Sequence, residues 1–215
     1  MLKIDLHTHS YASKDGGISE DQYISVIDNG VLDYIAITDH DTIEAALKLK
    51  KILGSHIIVG EEISTKDGEI IGLFLKTFVE PYMSAADTIQ LIKQQGGLVY
   101  IPHPFETVRK GLNKHTLDQL AKDVDIIEGF NGRAMLQNKG PQALTWARLQ
   151  QIPVASSSDA HGIKGLGRTY SMIDKLPTAK NLSELLKTAH HSTKKPPMHS
   201  LLYPKINRFK KKMGQ

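Results

Sequence analysis

Tyr34-Ile35-Ala36-Ile37-Thr38-Asp39-His40-Asp41 reads as a buried strand that ends in a charged triplet. An uncharged, mostly apolar run of this length marks a strand covered on both faces, as in a parallel sheet flanked by helices. The triplet falls where such a strand ends, which in parallel barrels is the edge on which sites are built.

Upstream, a short apolar run leads into Asp5-Leu6-His7-Thr8-His9. Alternate side chains of an extended segment share a face, so His7 and His9 can grip one cation through neutral ring nitrogens. The segment between is a turn-rich loop, Ser10 to Gly17, then Ser19 as an N-cap followed by Glu20-Asp21-Gln22, which predicts a helix to about Asn29-Gly30. Downstream the pattern repeats. A helix is predicted over about Thr42 to Leu53, and Ile57-Ile58-Val59 ends in Gly60-Glu61-Glu62-Ile63-Ser64. Glu69 to Leu75 follows the turn Lys66-Asp67-Gly68 and should pair with it as a hairpin. A helix runs from Ser84 to the Gly96-Gly97 stop, and Leu98 to Ile101 leads into Pro102-His103-Pro104. Asp125-Ile126-Ile127-Glu128 is a strand ending at Gly129-Phe130-Asn131-Gly132-Arg133, before a helix from about Leu136 to Gln150. Pro153 to Ser157 leads into Ser158-Asp159-Ala160-His161-Gly162, and Tyr170 to Ile173 is a last strand before a helix near Asn181 to Lys187.

Strands alternating with helices mean parallel βα units, and about seven of them predict an α/β barrel or strongly curved sheet. His7, His9, His40, Glu62, His103, Asp159 and His161 all fall at or just past strand ends, so such a barrel would bring them to one face. His56, His115, His190, His191 and His199 lie in polar or helical surroundings and read as surface residues.

At 215 residues and 40% hydrophobic, the chain suits one sizeable core. It has no cysteine, so disulfides and thiolate ligands are excluded and any metal must be held by nitrogen and oxygen. The start shows no secretory pattern, and no run approaches the roughly 20 apolar residues of a membrane span, so a soluble, cytoplasmic protein with no membrane partner is expected. Oligomeric state has no signature here. The net charge of +4 hides an asymmetry: after Glu184 there are eight Lys and Arg and no acid. Taking those eight from the 27 basic residues leaves 19 against 23 acidic ones, a body of charge −4. The reading is a catalytic domain over 1–192 and a basic tail over 193–215, with Lys194-Lys195-Pro196-Pro197 as linker and Arg208-Phe209-Lys210-Lys211-Lys212 suited to phosphates of a nucleic acid. Every candidate ligand lies at or before His161, so the tail should be dispensable for a small substrate.

The motifs Asp5-Leu6-His7-Thr8-His9-Ser10, Ile37-Thr38-Asp39-His40-Asp41, Gly60-Glu61-Glu62-Ile63-Ser64, Pro102-His103-Pro104 and Ser158-Asp159-Ala160-His161 together resemble the polymerase and histidinol phosphatase (PHP) family of metal-dependent phosphoesterases. The resemblance implies a distorted (βα)7 barrel that binds two or three divalent cations, commonly manganese, iron or zinc. It implies that His7, His9 and Asp159 share one ion with Glu62, that Glu62 bridges to a second ion on His103, and that Asp15, His40 and His161 hold a third. Glu62 is preferred to Glu61 because the motif ends Glu-Ile-Ser and alternation turns Glu61 away. Many relatives carry a histidine where this chain has Glu69. A glutamate there is an equally competent ligand for the second ion.

Clustered divalent cations lower the pKa of a bound water and hold phosphoryl oxygens, which is the chemistry of phosphoester hydrolysis. Asp15, His161 and a metal-bound water are candidates to protonate the leaving group. Arg133 and Arg168 follow glycine turns near strand ends and are candidates to clamp substrate phosphate. The expected substrate is a phosphomonoester, a nucleotide or a nucleic-acid end. The competing readings are a metal amidohydrolase, whose barrels also begin with His-x-His, and a non-catalytic metal-stabilised domain that binds nucleic acid through the tail.

Overall fold

The computed structural model describes residues 1–135 and 137–214. Leu136, where the sequence places a helix start, lies outside the described residues. Nine strands form one sheet among them: β1 Leu2–Asp5, β2 Tyr34–Ile37, β3 Ile57–Ser64, β4 Glu69–Leu73, β5 Leu98–Ile101, β6 Ile126–Asn131, β7 Val154–Ser157, β8 Thr169–Ile173 and β9 His190–Thr193. Their order is β7-β6-β5-β4-β3-β2-β1-β8-β9, and the sheet curls into a nearly closed barrel. On the closing side Ser156 of β7 donates its N–H to Ser171 Oγ of β8 at 2.9 Å. The segments that follow β1 and β7 are tied by His9 N–H to Ala160 O and Asp159 N–H to His7 O, both 2.9 Å.

Parallel pairing holds for β1/β2, β2/β3, β5/β6 and β6/β7. It does not hold throughout, as seven parallel units would require. The expected hairpin is formed, β4 pairing antiparallel with β3 and then antiparallel with β5. Strand β8 is antiparallel to β1, and β9 to β8. The inserted β4 has a consequence for the site: because it runs backwards, its first residue, Glu69, lies opposite Ser64 at the end of β3 and so reaches the edge where the parallel strands finish. Gly68 makes that turn with φ +141°, in a region closed to other residues, and a Cβ there would stand 2.8 Å from Lys110 O.

Two apolar layers hold the sheet. Tyr34, Ala36, Ile58, Ile71, Leu73, Tyr100 and Ile126 pack together with Leu182 and Leu186. Their strand neighbours Ile35, Ile37, Ile57, Val59, Ile70, Val99, Ile101 and Ile127 pack in the opposite layer with residues of the helices. Neighbours on one strand part to opposite faces, and both faces are apolar, which is why the strands read as continuous apolar runs.

The helices are α1 Glu20–Asp28, α2 Glu44–Leu53, α3 Ala85–Gln94, α4 Lys114–Leu120, α5 Gly140–Gln150, α6 Leu182–Lys187 and α7 Tyr203–Lys212. Helix α1 starts with a reciprocal capping box between Ser19 and Gln22, and Ser84 caps α3 by accepting from Asp87 N. No helix among the described residues is long and apolar enough to cross a membrane.

The tail corrects an expectation. Composition predicts over 193–215 a basic tail apart from the site, yet β9 ends within the sheet at Thr193, and α7 folds back onto the edge of the barrel that carries the motifs. Counting charge identifies the segment as basic. It does not show that Asn207, Arg208 and Lys211 find partners in residues near the start of the chain.

Candidate metal centre

The five motif loops meet because other motif residues lash them to one another. Asp5, fully buried, accepts from His7 N at 3.3 Å and Ser158 N at 3.0 Å; burial, offset in part by those bonds, pushes its carboxyl up to about 7. Asp39 accepts from Ser10 N at 2.6 Å, and Asp41 accepts from Ser64 N and Oγ at 2.8 and 3.0 Å. Of Asp39-His40-Asp41, therefore, only His40 faces the site. Glu61 and Glu62 part in the same way. Glu61 Oε2 accepts from Val79 N at 3.0 Å, and Glu62 enters the cluster of imidazoles.

There, His7 Nε2 and His9 Nε2 converge to 3.1 Å. Glu62 Oε2 lies 3.3 Å from His7 Nε2, 3.2 Å from His9 Nε2 and 3.3 Å from His40 Nδ1, while Oε1 lies 3.0 Å from His103 Nε2. Its two oxygens thus face different partners, as a bridging carboxylate requires. Asp159 Oδ1 stands 3.5 Å from His9 Nε2, and Asp15 Oδ1 is 3.4 Å from His161 Nε2 and 3.7 Å from His40 Nε2. Three groups emerge, each with its ligand atoms within 4.8 Å of one another: His7, His9 and Asp159; His7, Glu62 and His103; His9, Asp15, His40 and His161. Glu69 is in none of these groups but points at two of them, 3.8 Å from His103 Nε2 and 4.0 Å from His40 Nδ1. The loops hold unusual backbone: His103 has φ +28° and Asp159 φ +51°, conformations that cost on the order of 1–3 kcal/mol each and tend to gather at functional sites.

The donor set suits divalent cations. It is wholly imidazole and carboxylate, matching borderline and hard ions, and the buried Nδ1 atoms of His40 and His103 have no hydrogen-bond partner. Burial pulls the His7 and His9 imidazoles down, but Glu62 and Asp159 outweigh it, holding His7 well above its ordinary range and His9 at about 9. Burial dominates at His40 and His161, bringing them to about 4 and about 3. Glu62 and Asp159 are opposed by burial and nonetheless lie well below the usual carboxylate range, Glu62 through His40 and His7, Asp159 through Arg133 and His7. Burial and the neighbouring Glu62 push Glu69 up to about 8.

No family model matches the sequence. An uncharacterised protein of Methanocaldococcus jannaschii, MJ1587, is 36% identical over 143 residues, 60% of this chain and 82% of that protein. A second from the same organism, MJ0417, is 32% identical over 191 residues, 83% of this chain and 73% of that protein. Among solved structures, a two-domain Bacteroides vulgatus protein containing a predicted PHP-like metal-dependent phosphoesterase superposes with a TM-score of 0.69 at 20% identity, covering 96% of this chain and 69% of that one. The chain belongs to one family with MJ0417, and its fold is that of PHP-like metal-dependent phosphoesterases.

Two further structural neighbours, each with a TM-score of 0.58 at 15% identity, are an amidohydrolase from Chromobacterium violaceum, covering 95% of this chain and 96% of that one, and the lesion-specific endonuclease PfuEndoQ from Pyrococcus furiosus, covering 88% and 57%. At these identities the likeness is one of fold.

The site opens into a cavity of about 250 Å³ lined by Asp15, His40, Glu62, Glu69, His103, Asp159 and His161, with Lys14, Arg109, Lys110, Arg133 and Arg208 around it. Arg133 NH1 donates to Asp159 Oδ1 at 3.2 Å. Arg168 is not brought there. It is exposed just before β8, where its carbonyl accepts from Ser192 Oγ. His56, His115, His190, His191 and His199 also lie outside the cavity lining.

Sequence reasoning missed three residues. Glu128 Oε1 accepts from His7 Nδ1 at 3.0 Å, which puts the ring proton on Nδ1 and leaves Nε2 free for a cation. Its other oxygen accepts from His103 N at 2.7 Å. A lone carboxylate closing the apolar run Ile126-Ile127 was the available signal. Arg109 bonds Asp159 Oδ2 at 2.6 Å and Glu106 Oε1 at 2.7 Å, from a loop with no readable pattern. Arg208 comes from the tail.

Proposed function

We propose that this chain is a cytoplasmic, metal-dependent phosphoesterase acting on a phosphomonoester, a nucleotide or a nucleic-acid end. The observation that carries the reading is the pairing of a buried imidazole–carboxylate cluster with five cationic side chains around one cavity. Three ions are assigned, on the distorted seven-unit barrel plan of the family: one to His7, His9 and Asp159; one to Glu62, His103 and Glu69; one to Asp15, His40 and His161. Manganese, iron and zinc all suit these donors. When bound, such ions would supply Lewis acidity and a water of lowered pKa.

The chain's own residues do the rest. Glu128 holds the His7 tautomer, and Arg109 fixes Asp159 by its outer oxygen. Arg133 lines the cavity, where its guanidinium can meet a phosphoryl oxygen. Asp15 and His161 fit cation binding better than proton donation. Burial opposes ionisation of Asp15, but His161, His40 and His9 hold it below the ordinary carboxylate range, and His161 is neutral at pH 7. A nucleic-acid substrate would also meet Lys194, Lys195, Lys205 and Lys210, which are exposed outside the cavity.

The amidohydrolase reading draws support from the Chromobacterium neighbour. The cationic rim favours phosphate, and the side chain that stands between His7 and His103 is Glu62, not a lysine.

Elemental analysis combined with a hydrolysis screen over phosphomonoesters, nucleotides, short RNA and DNA, and amides tests the proposal. The expected result is bound divalent metal and phosphate release that His7→Ala or Asp159→Ala abolishes and His56→Ala or His115→Ala leaves intact. Amide turnover without phosphate release, or full activity in His7→Ala, would overturn it.

A further inference from the structure

Helix α7 touches the group His9, Asp15, His40 and His161 in a way the reaction alone does not explain. The single amide of Asn207 donates from Nδ2 to two backbone carbonyls, Asp15 O at 2.8 Å and His161 O at 2.9 Å. These belong to the loops after β1 and β7, so one side chain from the end of the chain ties together two of the loops that carry the group. One position on, Arg208 NH2 bonds Asp15 Oδ2 at 3.0 Å, which turns Oδ1 of the same carboxylate toward His40 and His161. One turn further, Lys211 Nζ donates to Tyr11 O at 2.6 Å and to Ser13 O, in the loop that delivers Asp15.

The loops are shaped to receive the helix. Gly162 follows His161, and a Cβ there would stand 2.6 Å from the Tyr203 ring. Gly17 lies just past Asp15, and a Cβ there would stand 2.8 Å from Nδ2 of Asn207. Both approaches are closer than real Cβ atoms make, so any other residue at either position would displace the Asn207 amide or the Tyr203 ring from where they sit.

We propose that the C-terminal helix assembles the third cation site, with Asn207 as its positioning residue and Arg208 as the partner that orients Asp15. The inference rests on the metal-centre reading above and assigns to the tail a part in building the site. A carboxylate ligand whose second oxygen is bonded elsewhere presents one oxygen in a fixed direction, and loss of such supporting bonds typically weakens metal binding 10- to 100-fold. The ligands His7, Glu62, His103 and Asp159 take no hydrogen bond from α7; Glu128 holds His7 and the His103 backbone, and Arg109 holds Asp159.

The test is manganese binding to the full-length protein, read as ions per chain and affinity per site, in wild type, Asn207→Ala, Arg208→Gln and Gly162→Val. The last variant displaces the helix without altering it. The expected result is selective loss: about one ion per chain disappears, or one class of site weakens 10- to 100-fold, while the other two ions stay and the metal-free proteins keep the wild-type circular dichroism spectrum. Three ions of unchanged affinity in Asn207→Ala and Gly162→Val would overturn the role of the helix, as would a wild-type chain that binds no third ion. Failure of the phosphoesterase reading looks different. The third ion would then depend on Asn207 while no phosphoester was hydrolysed.

Discussion

His9 is protonated where a cation would sit. Burial lowers its pKa, but Asp159 and Glu62 raise it to about 9, and His7 is likewise held well above 6.5. A cation needs both rings neutral, so metal uptake should release protons. Apparent affinity should therefore rise with pH up to about 9. Calorimetric titration with manganese in buffers of different ionisation enthalpy measures the released protons; a buffer-independent heat between pH 6.5 and 8 would contradict this account. The metal-free protein should show the converse. The raised histidine pKa values contribute stability that is complete below about 6.5, the unfolded value, and is lost as pH rises toward about 9. Glu69 supplies the second residue-scale test. With Oε2 3.8 Å from His103 and a carboxyl pushed up to about 8 by burial and by Glu62, it is costly to ionise unless a cation shares the site. Glu69→Ala should lower metal content by about one ion per chain and turnover by roughly 10- to 100-fold or more. Glu69→His should restore much of both, because imidazole suits the same ions.

At the scale of elements, the barrel places ligands by direction of travel. Parallel strands β1, β2, β3, β5, β6 and β7 finish at the site, and β4 begins there because it runs the other way. A hairpin thus contributes one ligand candidate at each side of its turn, Glu62 and Glu69. The cap of α1 bonds only within its own first turn, so removing it should affect stability alone. Ser19→Ala removes the capping box of α1 and should cost about 1 kcal/mol of unfolding free energy, with ions per chain unchanged. Chemical denaturation and elemental analysis check the two halves of that statement. A fall in metal content would mean that α1 sets the Asp15 loop, which precedes it.

For the whole molecule, the barrel concentrates buried carboxylates at one edge: Asp15, Glu62, Glu69 and Asp159 around the cavity, with Glu128 behind His7. Such a cluster repels itself unless protons or cations neutralise it. Chelation should therefore destabilise the fold as a whole. At cation concentrations 100-fold above a site's dissociation constant, each site contributes about 2.7 kcal/mol. The expected observation is a fall in Tm on adding excess EDTA and its recovery with manganese or zinc. An unchanged Tm would show that the ions, if bound, do not hold the barrel together.

The sequence by itself determined β1 to β8 and the five motif loops, because both are local; β9, polar at every position, carries no such pattern. Apolar runs such as Tyr34–Ile37 mark strands buried on two faces, and His7, His9, His40, Glu62, His103, Asp159 and His161 are legible because strand ends are where a barrel gathers its chemistry. The Glu-Ile-Ser ending of the motif, together with alternation, separated Glu62 from Glu61. What only the tertiary structure decided depends on contacts between distant parts of the chain. Glu128 is a carboxylate in an apolar strand until His7 is set against it, 121 residues away. Arg168 and Arg133 look alike after their glycine turns, and only the direction of the chain beyond β6 and before β8 sends one to the cavity and the other to solvent. The tail differs most. Its composition reads as a solvated basic extension, and its placement is set by hydrogen bonds from Asn207 and Arg208 to Asp15, 192 and 193 residues back, which no local pattern encodes.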